Sequence, residues 1–332
     1  MTSTLPTAHK VLIVIPCLNE EKHLAKLMQQ LLMANGGSKY LFVIADGGST
    51  DKTAQIAKDL AAQNNNVIYL ENPKRIQSAA LNLAVEKYGA DAEYLIRIDA
   101  HSDYPDNYCE ILLQEADGTR ADSVVVSMQT VGTGDFQQAV AAAQNSLLGT
   151  GGSAHRASDK GGRWIDHGHH ALMRLDAFRA VDGYDESFAH NEDAELDLRL
   201  DEQGYKIWLT GKTTVTYYPR ATPGALFWQY FGYGSGRAQT LQKHYMLPKI
   251  RQLLPVLVAP SVLLLLIAPV FPVTSLPFFA WALLCLAYGA WLAREAQDSN
   301  IFLAGPAAMI MHFAWSLGFW KSLLQNRLPK ND

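Results

Sequence analysis

A long uncharged stretch near the C-terminus constrains this chain more than any other feature. Residues 252–293 contain no Asp, Glu, Lys or Arg, although 18% of the 332 residues are charged. Two apolar segments within the stretch, 253–271 and 276–293, are each long enough as a helix to span roughly 30 Å of hydrocarbon. The sequence therefore predicts a membrane region over residues 241–332, and a buried helical hairpin in a soluble core is the alternative.

A third apolar segment, 301–320, contains Pro306 and His312 and is a weaker candidate for a span. Four basic residues flank the first two segments, namely Lys243, Lys249, Arg251 and Arg294. Because cytosolic loops are enriched in Lys and Arg, we expect both ends of the hairpin on the cytosolic side. The first ten residues are polar, without the apolar core of a signal peptide, so the N-terminal domain is expected to stay in the cytosol.

Composition excludes several classes of protein. A formal net charge of −4 argues against a basic nucleic-acid binder, and a hydrophobic content of 48% argues against a disordered chain. The three cysteines are dispersed along the chain, which indicates small buried apolar side chains rather than a disulfide framework.

The first half of the chain alternates between two apolar patterns. Short apolar runs that predict strands cover residues 11–15, 40–45, 67–70 and 94–98. Segments with helical spacing lie between them, at residues 20–33, 50–61 and 76–88. This alternation predicts an α/β domain over residues 1–240, with a mostly parallel sheet and helices on both faces. The carboxyl ends of the parallel strands then meet at one edge, where such folds bind ligands.

Polar motifs follow each of these four strands. They are Pro16 to Glu20, Asp46 to Asp51, Asn72 to Arg75, and Asp99 to His101. Any one of them is typical of a turn or a helix cap. Four in succession at one sheet edge indicate a ligand site, in which Gly47 and Gly48 permit a tight backbone turn.

Two further motifs lie downstream. Glu192 and Asp193 follow Asn191, and acidic residues in a first helical turn are typical of favourable interaction with the helix dipole. The segment 229–237 combines aromatic residues, glycines and Arg237 just before the apolar stretch. That composition is also typical of a helix at a membrane interface.

In this order, over about residues 10–240, the motifs resemble those of the family 2 glycosyltransferases with a GT-A fold. The segment 229–237 resembles the succinoglycan-type bacterial exopolysaccharide branch of that family. The resemblance implies donor-binding roles for Pro16, Glu20, Asp46, Arg75, Asp99 and Arg237. It implies Asp193 as the catalytic base, and an acceptor side formed by His169, His170 and Glu192.

The resemblance also implies a metal site at Asp99 and His101, which match the D-x-D motif except that its last residue is histidine. A carboxylate suits Mg²⁺ or Mn²⁺, whereas imidazole suits Mn²⁺ better than Mg²⁺. The alternative for His101 is a hydrogen bond to a diphosphate oxygen. The expected cofactor is therefore Mn²⁺ or Mg²⁺.

The expected activity is inverting transfer of one sugar from a nucleotide sugar, a UDP-hexose such as UDP-glucose, to a lipid-linked saccharide. The expected place is the inner membrane of a bacterium, in the synthesis of exopolysaccharide or another cell-surface glycan, with the catalytic domain in the cytosol. The polar, Gly-rich segment 149–162 is expected to close over the bound donor. The alternatives are a polyprenyl-phosphate glycosyltransferase and a non-catalytic nucleotide-binding scaffold in the membrane.

Overall fold

The computed structural model describes residues 10–34, 37–151 and 161–325. Internal contacts divide the chain into two compact units, Met1–Met128 with Ala157–Thr216 and Gln129–Arg156 with Tyr217–Asp332. The sequence predicted a boundary near residue 240 instead. The division into a catalytic domain and a membrane region stays a prediction.

The described residues form eight strands and thirteen α-helices. The strands are β1 (Val11–Cys17), β2 (Leu41–Asp46), β3 (Val67–Glu71), β4 (Tyr94–Arg97), β5 (Ser123–Thr130), β6 (Arg163–Ile165), β7 (His169–Arg174) and β8 (Ile207–Tyr217). The first eight helices are α1 (Leu24–Met33), α2 (Thr53–Gln63), α3 (Gln77–Tyr88), α4 (Tyr108–Thr119), α5 (Asp135–Gln144), α6 (Leu147–Thr150), α7 (Leu175–Ala180) and α8 (Glu192–Glu202). The others are α9 (Pro223–Lys243), α10 (Ile250–Val256), α11 (Val258–Leu264), α12 (Leu276–Ala296) and α13 (Ala304–Gln325).

The strands form one sheet in the order β3-β2-β1-β4-β7-β5-β8-β6. Strand β1 pairs in parallel with β2 and β4, and β2 pairs in parallel with β3. Strand β7 runs antiparallel to β4 and β5, and β6 runs antiparallel to β8. The sheet is therefore mixed, and the predicted parallel arrangement holds for its first four strands.

The core of the first unit lies on both faces of this sheet. Alternate residues of β1 point to opposite faces, so Leu12 and Val14 join one buried cluster while Ile13 and Ile15 join the other. Helices α1 and α4 cover the face of Ile13, and helices α3 and α7 cover the face of Leu12. Burial on both faces explains why the strand is a continuous apolar run.

Two helices of the second unit are long and apolar enough to cross a membrane. They extend over Pro272–Ala296 and Ser299–Gln325, each counted with a short 3₁₀ turn before it. The predicted segment 276–293 lies within α12, and 301–320 lies largely within α13. Pro306 is the third residue of α13, where a missing N–H removes no hydrogen bond within the helix.

The predicted single helix over 253–271 is not present. Helix α10 ends at Val256 and α11 ends at Leu264, and the chain then continues in turns to Val270. Pro260 and Pro269 explain the two breaks, because proline lacks the N–H donor and its ring clashes with the carbonyl four residues earlier, here those of Val256 and Leu265.

The glycines of segment 229–237 lie in α9, where they allow close packing against α13. A Cβ atom on Gly234 would lie 1.9 Å from the carbonyl oxygen of Trp315. On the facing helix, a Cβ atom on Gly318 would lie 1.9 Å from the carbonyl oxygen of Phe231. The two backbones therefore approach at points where no side chain fits.

Candidate active site

The loop after β2 is held by its own carboxylate. Asp46 accepts hydrogen bonds from the backbone N–H of Gly48 at 3.2 Å and from the hydroxyl of Ser49 at 2.5 Å. Gly48 has a positive φ of 81°, and a Cβ atom there would lie 3.3 Å from Arg75 Nε. Two of the predicted donor-binding residues, Asp46 and Arg75, therefore belong to neighbouring loops at one end of the parallel strands.

The loop after β1 brings two more predicted residues to the same edge. Pro16 pairs in register with Ala45, one residue before Asp46. The carboxylate of Glu20 lies 2.8 Å from Nδ1 of His101, so the loops after β1 and β4 are joined by this contact. The structure thus brings together the four motifs that the sequence placed at strand ends.

The two predicted metal ligands supply one carboxylate and one imidazole. Asp99 is partly exposed, and its oxygens lie 3.6 Å from Arg97 Nε and 3.6 Å from His169 Nε2. Among the described residues, no group of three His, Cys, Asp or Glu side chains lies close enough together to hold a metal ion. A carboxylate and an imidazole are suitable ligands for a divalent ion that takes its remaining ligands from a diphosphate and water, and the assignment of Asp99 and His101 to such an ion stays a prediction.

A buried arginine joins this edge to helix α8. Arg97 ends β4, and its Nη1 donates to Asp193 Oδ1 at 2.7 Å. Its Nη2 lies 3.0 Å from Nδ1 of His169, and its Nε faces Asp99. One guanidinium therefore contacts a proposed metal ligand, a proposed acceptor-side residue and the proposed base. Its planar set of five donors suits this position.

The pKa values of the neighbouring residues Asp193 and Glu192 are shifted in opposite directions. Burial alone would raise the pKa of Asp193, but Arg97 and then His170 outweigh it and hold the pKa well below its usual range. Burial and the charge of Asp193 raise the pKa of Glu192 to about 7. Asp193 is therefore an anion at neutral pH, whereas Glu192 binds a proton far more readily.

The two predicted acceptor-side histidines differ in environment. Burial and the adjacent Arg97 lower the pKa of His169 to about 4, so this residue is neutral near Asp99 and Asp193. His170 is 1% exposed, and its nitrogens lie 3.0 Å from the Tyr184 hydroxyl and 2.6 Å from Asp197 Oδ1. Burial alone would lower its pKa, but Asp197 and Asp193 outweigh that effect and raise it. His170 therefore contacts Tyr184 and Asp197 in the protein interior.

Two sequence predictions concern residues that these contacts do not include. Arg237 lies in α9, which belongs to the second unit, and its contact with a donor diphosphate stays a prediction. Most of the proposed closing segment 149–162 lies outside the described residues, which stop at Gly151 and resume at Gly161.

Sequence reasoning missed three residues of the cluster, namely Arg97, Tyr184 and Asp197. A charged residue at the end of the otherwise apolar strand β4 was a usable signal for Arg97. Asp197 is four residues after Asp193 and hence on the same face of α8. No comparable signal in the sequence distinguishes Tyr184 from an ordinary core tyrosine.

Comparison with known proteins shows which family the chain belongs to. The family model for glycosyl transferase family 2 matches residues 12–182, and the model for glycosyl transferase family group 2 matches residues 135–293. The chain is 55% identical to the succinoglycan biosynthesis protein ExoA of Rhizobium meliloti (strain 1021), over 98% of this chain and 99% of the relative.

Two more distant proteins match over most of their length. A dolichyl N-acetyl-alpha-D-glucosaminyl phosphate 3-beta-D-2,3-diacetamido-2,3-dideoxy-beta-D-glucuronosyltransferase of Methanococcus voltae is 24% identical, over 94% of this chain and 97% of that one. The solved mannosyltransferase PcManGT of Pyrobaculum calidifontis shares the fold, with a TM-score of 0.59 at 17% identity, over 96% and 88% of the two chains. The chain belongs to glycosyl transferase family 2, and it is a glycosyltransferase.

Proposed function

We propose that this enzyme transfers one sugar, with inversion, from a nucleotide sugar to a lipid-linked saccharide in the synthesis of a bacterial exopolysaccharide or other cell-surface glycan. A UDP-hexose such as UDP-glucose is the proposed donor. The strongest support for the biological role is the 55% identity with a protein named for succinoglycan biosynthesis.

The observation that carries the chemical proposal is the position of Arg97 between two carboxylates. Asp99, the proposed metal ligand, lies 3.6 Å from Arg97 Nε, and Asp193, the proposed base, lies 2.7 Å from Nη1. A group that binds the donor diphosphate and a group that accepts a proton thus lie on opposite sides of one side chain. Transfer between a donor and a hydroxyl acceptor requires both groups close together.

Asp193 supplies the proton acceptor in this proposal. The acceptor hydroxyl oxygen forms a bond to the anomeric carbon while its proton passes to the Asp193 carboxylate. The bond between that carbon and the nucleoside diphosphate breaks, and its electron pair leaves with the diphosphate. Attack on the face opposite the leaving group inverts the configuration. Arg97 keeps Asp193 ionised, so the base is ready at neutral pH.

A divalent cation, Mn²⁺ or Mg²⁺, is the proposed cofactor, held by Asp99 and His101. When bound, such an ion neutralises charge that develops on the diphosphate. PcManGT was solved in complex with GDP-Man and Mn²⁺, which is consistent with this proposal for a shared fold. Glu20 orients the imidazole of His101 through its contact with Nδ1, so Nε2 is the proposed ligand atom.

We place the enzyme at the inner membrane, with the catalytic domain in the cytosol. The support is the two long apolar helices and the basic residues around residues 243–251. A membrane location holds the enzyme beside a lipid-linked acceptor, and nucleotide sugars are cytosolic substrates in this scheme.

The deciding experiment is transfer of labelled sugar by the detergent-solubilised full chain. Wild type and Asp193→Asn are incubated with a panel of labelled nucleotide sugars, Mn²⁺ and a bacterial lipid extract, and label is counted in the organic phase. We expect label from UDP-glucose or a related UDP-hexose with wild type only, while Asp193→Asn binds UDP within a few-fold of wild type.

Other outcomes contradict particular parts of the proposal. Label transferred equally by Asp193→Asn indicates an acceptor that is already ionised, such as a lipid phosphate, because that acceptor needs no base. Label from a GDP-sugar alone overturns the proposed donor. No transfer by wild type into an extract from an exopolysaccharide-producing bacterium overturns the proposed acceptor class.

A further inference from the structure

A chain of hydrogen bonds continues from Asp193 into the protein. The hydroxyl of Tyr184 donates to Asp193 Oδ1 at 3.0 Å. The same hydroxyl lies 3.0 Å from Nδ1 of His170, and Nε2 of His170 lies 2.6 Å from Asp197 Oδ1. Four polar side chains are thus linked in series, beginning at the proposed base.

The inner members of this chain are buried to an unusual degree for such groups. Tyr184 is 2% exposed, His170 is 1% exposed and Asp197 is fully buried. Burial of a phenol, an imidazole and a carboxylate is costly unless each finds a partner. Asp197 has further partners, since Oδ2 lies 2.8 Å from His167 Nδ1 and 3.2 Å from the Gly168 backbone nitrogen.

The position of Tyr184 is itself fixed by a neighbouring element. Asn82 of α3 binds the backbone of Tyr184 on both sides: its Oδ1 accepts from the backbone N–H at 2.9 Å and its Nδ2 donates to the backbone carbonyl at 2.8 Å. Gly183 has a φ of 66°, and a Cβ atom there would lie 2.6 Å from Asn82 Oδ1. The Tyr184 ring also packs edge-on against Phe178.

The series of hydrogen bonds ends at one oxygen of the Asp193 carboxylate, Oδ1. Tyr184 and Arg97 both donate to Oδ1 of Asp193, at 3.0 Å and 2.7 Å. Oδ2, by contrast, lies 4.0 Å from Nδ1 of His169. Two donors on one oxygen fix the plane of the carboxylate and leave the other oxygen as the better proton acceptor.

We propose that Tyr184, backed by the buried pair of His170 and Asp197, is a positioning residue that fixes Asp193 so that Oδ2 takes the acceptor proton. This inference rests on the proposed function, in which Asp193 is the base. The proton moves from the acceptor oxygen to Oδ2, and Tyr184 keeps its own proton throughout.

The test is Tyr184→Phe, which removes one hydroxyl and retains the ring. We expect kcat to fall about tenfold, because a base held in one orientation contributes part of the ~10²–10⁴ that general base catalysis supplies. The KM for the nucleotide sugar should change less than about twofold, since the described hydrogen bonds of the Tyr184 hydroxyl are with Asp193 and His170. Asp197→Asn, which keeps the shape of the side chain, should change kcat in the same direction by a smaller factor.

Tyr94→Phe is the matched control. Tyr94 also binds an aspartate through its hydroxyl, that of Asp117, and it lies at the opposite end of β4 from Arg97. Its loss should reduce stability without a selective loss of kcat. Equal effects of the two Tyr→Phe changes on kcat overturn the positioning role.

The pH profile is the second readout. The charged or titratable groups that face Asp193 are Arg97, His169, His170, Tyr184 and Glu192. Loss of a donor to Oδ1 disfavours the anion, but Arg97 still holds the pKa of Asp193 well below its usual range, so Tyr184→Phe should lower kcat by a similar factor at about pH 6, 7 and 8. A loss that disappears within this pH range shows a change in ionisation instead and contradicts the positioning role.

A double-mutant cycle separates this proposal from the function on which it rests. If Tyr184 acts through Asp193, adding Tyr184→Phe to Asp193→Asn should reduce residual transfer no further. A full additional tenfold loss overturns positioning but leaves Asp193 as the base. Wild-type transfer by Asp193→Asn alone instead overturns the proposed function.

Discussion

Nη1 of Arg97 lies 2.7 Å from Oδ1 of Asp193, so a buried guanidinium at the end of β4 holds a carboxylate in the first turn of α8. Arg97 is 5% exposed, and it comes two residues before Asp99 in the chain. The same side chain that keeps the proposed base ionised therefore also faces the proposed metal ligand.

Arg97→Met tests the strength of this ion pair. The change keeps a long apolar side chain but leaves a mostly buried carboxylate without its cation, so we expect the free energy of unfolding to fall by about 3 kcal/mol. Urea denaturation of the detergent-solubilised chain measures this loss. Lys10→Met breaks the exposed pair between Lys10 and Glu93 and should cost less than about 1 kcal/mol. Equal costs for the two changes contradict the assignment.

Asp99→Ala tests the metal site. Without this carboxylate, UDP affinity measured by calorimetry in the presence of Mn²⁺ should fall about tenfold or more, while affinity without metal should not change. Unchanged affinity with Mn²⁺ shows that Asp99 does not hold the ion. Lys26 provides a control, because it pairs with Asp103 on the exposed surface and its change to Met should leave UDP affinity intact.

His101→Gln separates the two roles considered for His101. If the imidazole binds the ion, the variant should lose the preference for Mn²⁺ over Mg²⁺, because imidazole favours the transition metal. If His101 donates a hydrogen bond to a diphosphate oxygen, UDP affinity should fall by a similar factor with either ion. Parallel titrations with the two ions distinguish these results.

The pH dependence of transfer distinguishes Asp193 from Glu192 as the base. The pKa of Asp193 is lowered, so its anion is present well below neutral pH, and kcat/KM should be nearly flat from about pH 6 to 8 with respect to this group. The pKa of Glu192 is raised to about 7. If Glu192 accepts the proton, kcat/KM rises through neutral pH, and Glu192→Gln abolishes both the rise and the activity.

The close packing of α9 on α13 predicts that a substitution of Gly234 lowers stability. Gly234→Ala places a methyl group against the Trp315 carbonyl, so the helices must separate, at a cost of about 1–3 kcal/mol. Gly224→Ala, in the first turn of the same helix, meets no atom within 4 Å and should change the free energy of unfolding by less than about 0.5 kcal/mol. Thermal unfolding in detergent compares the two variants. A neutral result for Gly234→Ala contradicts the observed helix contact.

Local pattern was sufficient for much of the catalytic unit. Each predicted strand from 11–15 to 94–98 corresponds to β1–β4, since a strand buried on both faces must be a short apolar run. The motifs at Glu20, Asp46 and Asp99 meet because parallel strands bring their ends to one edge. The prediction from apolar composition was wrong at 253–271, where it indicated one long helix but two prolines interrupt the segment.

The family, the four parallel strands and the candidate acids Asp99, Glu192 and Asp193 could be read from the sequence alone, because these depend on periodicity, composition and the order of motifs. The groups that surround those acids could be identified only in the folded protein. Arg97 and Tyr184 are separated from Asp193 by 96 and 9 positions, and they contact the same oxygen. The pKa of Asp193 follows from that contact, because the energy of a buried charge depends on the distance to its neighbours and not on their place in the chain.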